Sequence, residues 1–160
     1  MFEILGDYTT SVKKSLKEID KNYLKYDALV IAGSHNPHNV EEYIQKIYEA
    51  RITGRPYYGE CWGHQLACIE YARSVLGITD ATSEEWGQGT FVIRKRPTLK
   101  VGLHNGESYW NNYEVAIDWE KPKNFFTAQF HASYQSSIDR PHPLLVEFLL
   151  YAKNKMAMQN

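Results

Sequence analysis

Apolar runs and helical periodicities alternate along the first half of the chain. "FEILG" at the start is a short strand. "TTSVKKSLKEIDKNYLKY" has Val12, Leu16, Ile19 and Leu24 on roughly one face, which predicts an amphipathic helix. "ALVIAG", Ala28 to Gly33, is continuous, apolar and ended by glycine, the pattern of a strand buried on both faces. A polar loop, "SHNPHN", leads to Asn39, a cap for the helix "VEEYIQKIYEARITG", which Gly54 closes. "RPYYGE" is the next strand, and "WGHQLACIEYARSVLG" the next helix, stopped by Gly77. This rhythm predicts an α/β fold: a mostly parallel central sheet with helices on both faces.

After Gly77 the pattern changes. "TFVIRKR", "LKVGLHN", "YEVAIDW" and "FFTAQFH" are strand-like with little helix between them, which suits antiparallel strands added at the sheet edge. "PHPLLVEFLLYAKNKMA", from near Pro141, is the closing helix. No repeat, low-complexity tract or linker interrupts the chain, so residues 1–160 read as one domain.

Composition narrows the function classes. The chain is 43% apolar and 23% charged, ordinary for a globular domain, and its net charge of -1 gives no pull toward nucleic acid or an anionic membrane. No apolar run is long enough to span a bilayer, and "MFEILGDYTT" lacks the pattern of a secretory signal. Cys61 and Cys68 fall on one helix start, badly placed to bridge each other. A reduced, cytoplasmic setting is expected.

The chemistry centres on Gly59-Glu60-Cys61-Trp62-Gly63. A thiol is a useful nucleophile only when ionised, and a helix N-terminus or nearby imidazolium favours that form. A sharp strand-to-helix turn supplies the position, and small residues must flank it, hence the spacing Gly-x-nucleophile-x-Gly. The amide of Trp62 would then point at a developing oxyanion. The bland alternative is a buried, inert cysteine, which is the better reading for Cys68 beside Ala67 and Ile69. A nucleophilic cysteine needs a base. His131 closes "FFTAQFH", a strand end where such sites form; His104, His35, His38 and His64 are the other candidates. No tight Cys/His spacing suggests a metal, and no cofactor motif is present.

Together these residues resemble class I glutamine amidotransferases, most closely the glutaminase domain of CTP synthase. "RPYYGECWGHQLACIEYARSVLGITDATSEE" looks like that family's nucleophile elbow, helix and following segment. "NNYEVA" resembles its tyrosine-containing strand, and "FFTAQFHASYQSSIDRPHPLLVEFLLYA" its histidine strand and last helix. "YDALVIAGSHN" matches the strand and loop of the oxyanion glycines. The resemblance covers the chain from about Tyr26 onward, after an opening shorter than the family's. It implies a three-layer, flavodoxin-like fold and a Cys-His-Glu triad that hydrolyses the glutamine side-chain amide. Cys61 falls on the nucleophile and His131 on the base. Gln65 and Glu85 fall on glutamine-binding positions, and Gly33 and the Trp62 amide on the oxyanion hole.

Four positions depart from the family pattern. His-Pro-Glu is here His131-Ala132-Ser133, so the orienting glutamate is a serine. The arginine before the tyrosine strand, which helps hold the substrate carboxylate, is Asn112, next to Tyr113. The oxyanion loop reads Ala32-Gly33-Ser34-His35, so Ser34 and His35 join the substrate-binding set. Glu60 stands where a small or apolar residue is usual. Ser133 could accept a hydrogen bond from His131 but offers no charge. Losing the arginine removes a contact worth roughly 1.5–3 kcal/mol. Glu60, next to Cys61 on a strand, is expected to point to the opposite face, away from His131; His35 is better placed to meet substrate.

The leading expectation is a cysteine hydrolase acting on glutamine or a related γ-glutamyl or amide substrate through Cys61 and His131. The alternative is a catalytically impaired relative that binds a ligand or a partner chain. Any ammonia acceptor would be a separate synthase subunit, and nothing in the chain opposes a homo-oligomer.

Overall fold

The computed structural model describes residues 1–104 and 107–159, leaving out the side chains of 98–102, 104 and 108–111. The candidate base His104 therefore falls outside the described side chains. The elements in order are β1 (Phe2–Leu5), α1 (Thr10–Ile19), β2 (Ala28–Ile31), α2 (Val40–Thr53), β3 (Tyr57–Glu60), α3 (Trp62–Ser74), β4 (Ala81–Ser83), β5 (Thr90–His104), β6 (Glu107–Val115), β7 (Phe125–Ala128) and α4 (Pro143–Met158). Among the described residues no helix is long and apolar enough to cross a membrane.

The central sheet has the order β1-β2-β3-β7, with every neighbouring pair parallel. Alternation along β2 explains its unbroken apolar run. Leu29 and Ile31 face α2 and α3, where Ile44, Ile47, Leu66 and Ile69 cover them. Ala28 and Val30 face the other way, toward Val12 and Leu16 of α1 and Leu145 and Phe148 of α4. On β3, Tyr57 joins the first of these cores and Tyr58 the second.

The architecture is the expected one, with three local differences. The first helix ends at Ile19. The Asp20 side chain takes hydrogen bonds from the Tyr26 hydroxyl and the Asn22 amide, capturing the backbone in a turn instead of another helical turn. Leu24 then falls in a 3₁₀ turn and is 63% exposed, off the buried face. Asn39 does precede α2, but in a left-handed conformation (φ 51°) with no side-chain cap bond. The third difference is in the C-terminal half. β4, β5 and β6 form a second sheet of their own, in which β5 and β6 are antiparallel. "FFTA" is not an antiparallel addition; it lies parallel to β3, with Tyr57 opposite Phe125 and Glu60 opposite Ala128. Its residues are covered on both faces, as a parallel strand requires.

The C-terminal ends of β1, β2, β3 and β7 thus share one edge of the sheet, where ligand sites of open α/β sheets form. The start of α3 packs on β2 so closely that a Cβ on Gly63 would overlap the Ile31 carbonyl. Gly63→Ala should therefore lower the unfolding free energy by about 1–3 kcal/mol, read as a lower urea midpoint at unchanged slope. An unchanged midpoint would show that the contact imposes no constraint.

Candidate active site

Cys61 is the single residue between the end of β3 and the start of α3, and its backbone is strained, with φ 57° and ψ -104°. A side chain in that region costs about 1–3 kcal/mol and persists only where the surroundings impose it. Here they do. The Cys61 amide donates to the Ala128 carbonyl of β7 at 2.9 Å, and its carbonyl accepts from the Gln65 amide at 3.1 Å. A Cβ on Gly59 would come within 2.8 Å of the Gly63 backbone. Both glycines of the motif are therefore explained by contact.

His131 lies three residues beyond β7, is 1% exposed, and is stacked on Tyr134 with ring centroids 4.4 Å apart. Gly33 marks where it meets Cys61. A Cβ on Gly33 would stand 3.1 Å from Cε1 of His131, 3.3 Å from the Tyr8 ring and 3.6 Å from Cβ of Cys61. Any larger residue at 33 would fill the space between thiol and imidazole. An open cleft of about 440 Å³ adjoins this point, lined by Tyr8, His35, His131 and Tyr134.

The remaining predicted residues divide between two sheets. Gln65 is buried and reaches the thiol through Gln129: its Nε2 donates to Gln129 Oε1 at 3.3 Å, and Gln129 Nε2 donates to Cys61 Sγ at 3.9 Å. Ser34 anchors its loop, donating to Asp7 at 2.5 Å and accepting from the Asn36 amide at 3.0 Å. His35 packs edge-on against Tyr8 in the cleft wall. The Trp62 amide opens α3, while its indole ring is buried against Tyr43 and stacked by His38. Glu85, Asn112 and Tyr113 belong to the second sheet and the turn after β4, all half-buried. Burial raises the Glu85 carboxyl above its usual range. Burial, then the charges of Glu85 and Glu84, raises the Tyr113 phenol, so these groups sit near one another.

Two expectations fail at Glu60. It does point with Tyr58 to the face opposite Tyr57, as strand alternation demands, yet it is not remote from His131. The turn carrying His131 folds back over that face, and Glu60 Oε2 lies 3.4 Å from His131 Nδ1, an ion-pair distance without hydrogen-bond alignment. Ser133 does not accept from His131. Its amide and hydroxyl both donate to Glu60, each at 2.8 Å. The Tyr58 hydroxyl donates to Glu60 as well, at 2.7 Å. Glu60 and its hydrogen-bonding groups are buried. Sequence reading also overlooked Tyr8, Gln129 and Tyr134. Of these, Gln129 carried a signal, being two residues before His131 on the same apolar run; the two tyrosines carried none.

Two other candidates have structural jobs. His64 accepts or donates at the Thr127 hydroxyl, 2.9 Å away, and packs on Trp119. Burial, then the Lys121 charge, holds its imidazole down at about 3, so it is neutral. Cys68 is wholly buried, which pushes its thiol up to about 12.

Residues 5–118 match the family model "Glutamine amidotransferase class-I". The CTP synthase of Methanoregula boonei is 46% identical over 176 aligned positions, covering 78% of this chain and 34% of that protein. The CTP synthase of Methanoculleus marisnigri is 51% identical over 71, covering 44% and 13%. The chain spans about a third or less of the length of these curated relatives. A solved structure, the glutaminase domain of Trypanosoma brucei CTPS with bound acivicin, superposes with a TM-score of 0.76 at 19% identity, over 96% of this chain and 93% of that one.

Iodoacetamide at pH 8 should modify Cys61 and leave Cys68 untouched until denaturant is added, as peptide mass spectrometry will report; early modification of Cys68 would contradict its burial. The buried His64 also sets a pH dependence. Its folded value lies below the unfolded one, so below about 6.5 the unfolded chain binds the extra proton and stability falls as pH drops toward 3. Thermal melts of His64→Gln should lose part of this slope, and an unchanged slope would count against it.

Proposed function

The chain belongs to the class I glutamine amidotransferase family, and from that premise we propose that it cleaves the side-chain amide of glutamine, or of a related γ-glutamyl compound, with Cys61 as nucleophile and His131 as base. The observation that carries the reading is the strained Cys61 turn brought against His131 at Gly33. We read residues 1–160 as a single domain of this type.

In the first half-reaction the thiol proton passes to His131 and Sγ attacks the amide carbon. The carbonyl π pair moves to oxygen, giving a tetrahedral oxyanion. Orphan amides suit it: the first N–H groups of a helix have no intrahelical partner, and that of Trp62 leads α3 beside the nucleophile. Backbone at Gly33, on the other side of the thiol, is the second candidate donor. Collapse of the oxyanion breaks the C–N bond, and the imidazolium returns its proton to the departing nitrogen, releasing ammonia and leaving a thioester. Water, deprotonated by His131, then attacks the thioester and frees the carboxylic acid product and the thiol. Gln129 stands beside the thiol and is held by Gln65, and the two amides orient the substrate. Glu85, Tyr113 and Asn112 are carried over as substrate contacts. Asn112 offers no charge where the family has arginine, so a weakened hold on the α-carboxylate is expected. Tyr8, His35 and Tyr134 give the cleft an aromatic wall, which favours a substrate with an apolar or planar portion beyond the amide. Ammonia would leave to water or to an acceptor site outside these 160 residues.

Incubation with an electrophilic glutamine analogue should add one equivalent, seen by intact mass, with Cys61→Ala and His131→Ala each abolishing or slowing it by about 100-fold. No adduct on a wild-type chain whose Cys61 still accepts iodoacetamide would overturn the glutamine reading and favour binding without turnover.

A further inference from the structure

We infer that Glu60 is the carboxylate partner of His131, a positioning residue supplied from the strand before the nucleophile in place of the one missing at residue 133. The inference rests on reading Cys61 and His131 as the reacting pair. Two unusual residues carry it jointly. Ser133 removes a carboxylate from the turn after His131, and Glu60 places one on β3 at 3.4 Å from Nδ1 of the same ring. Either change alone would be costly: an unpaired imidazolium in one case, a buried and lonely charge in the other. Together they exchange one carboxylate position for another.

The surroundings of Glu60 are built for an acceptor. Oε1 takes hydrogen bonds from the Tyr58 hydroxyl and the Ser133 amide, and Oε2 takes one from the Ser133 hydroxyl, which leaves Oε2 acceptor capacity to spare at 3.4 Å from Nδ1, a contact that needs only a small rotation of the ring or carboxylate to become a hydrogen bond. Ser133 is itself held by α1, through Ser11 at 3.0 Å to its hydroxyl and Ser15 at 3.1 Å to its carbonyl. Among the described residues, His131 is the ion-pair partner of Glu60. The other titratable groups facing this pair are Cys61 from the elbow, Tyr8 and His35 from the loops after β1 and β2, Tyr134 from the turn, Tyr58 from β3, and His142 at the head of α4, which feels the Glu60 charge. A carboxylate on Nδ1 fixes the tautomer that leaves Nε2 to take the thiol proton, and it stabilises the imidazolium that results.

The test uses iodoacetamide, so it does not depend on the identity of the substrate. Cys61 alkylation is followed by mass spectrometry at pH 6.8 and at pH 9.5, where a free thiol ionises unaided. In E60Q the rate at pH 6.8 should fall at least tenfold, while the rate at pH 9.5 stays within about twofold of wild type. The double variant E60Q/S133E, which returns a carboxylate to residue 133, should recover at least half of the lost rate at pH 6.8. Cys68 reports folding, since it reacts only on unfolding. If E60Q exposes Cys68, S133A is read instead, with a smaller fall at pH 6.8 and none at pH 9.5. Wild-type rates in the variant that is read, equal slowing at both pH values, or a double variant as slow as E60Q would each overturn the assignment. The glutamine reading fails separately, if the analogue leaves the wild-type chain unmodified.

Discussion

The packing of the first turn of α3 onto the end of β2 is the constraint on which the site depends. Gly63 lies against the Ile31 carbonyl with no room for a side chain, and Gly59 lies as closely against Gly63. The chain must reverse from strand to helix within that clearance, and one residue, Cys61, absorbs the reversal in a strained conformation with positive φ. The thiol is thereby lifted to the sheet edge at the head of a helix. The same approach brings β2 and its loop beside the thiol, so that Gly33 separates it from the imidazole. The cleft and the placement of the Cys61 thiol have one origin.

The buried carboxylate of Glu60 is the second organising feature. A carboxylate without exposure to water is tolerated only when donors surround it. Here they come from two directions, Tyr58 on its own strand and Ser133 in the turn after β7, and α1 in turn holds Ser133 through Ser11. These bonds tie the His131 turn to β3 more firmly than apolar packing alone would. Glu60, the last residue of β3, and Cys61, in the turn that follows it, therefore place the carboxylate and the thiol on consecutive residues.

Membership in the class I amidotransferase family accounts for the α/β sheet and its helices, but not for the contents of the cleft. The structural neighbour shares the fold over nearly the whole chain at 19% identity, a level at which side chains are free to change. The cleft is lined by the aromatic rings of Tyr8 and Tyr134, and beneath it Ser133 bonds to Glu60.

Much of this was legible in the sequence because it rests on local physics. "ALVIAG" could be read as a doubly covered strand from its unbroken apolarity, and Gly-Glu-Cys-Trp-Gly as a sharp turn from the clearance that glycine provides. The helix heads followed from periodicity and punctuation, whereas the strand read through His131 stops at Ala128, three residues short of the histidine. The overextended first helix and the misplaced "FFTA" show the limit: a side chain of Asp20 ended one, and pairing with a strand some seventy residues earlier decided the other. Glu60 shows it most clearly. Alternation gave its face correctly, and local reasoning then placed it away from His131. Only the tertiary structure could bring the histidine turn over that face, because the meeting of residues 60, 131 and 133 is set by β3–β7 pairing and by α1 packing beneath the turn, neither of which leaves a periodic trace in the chain.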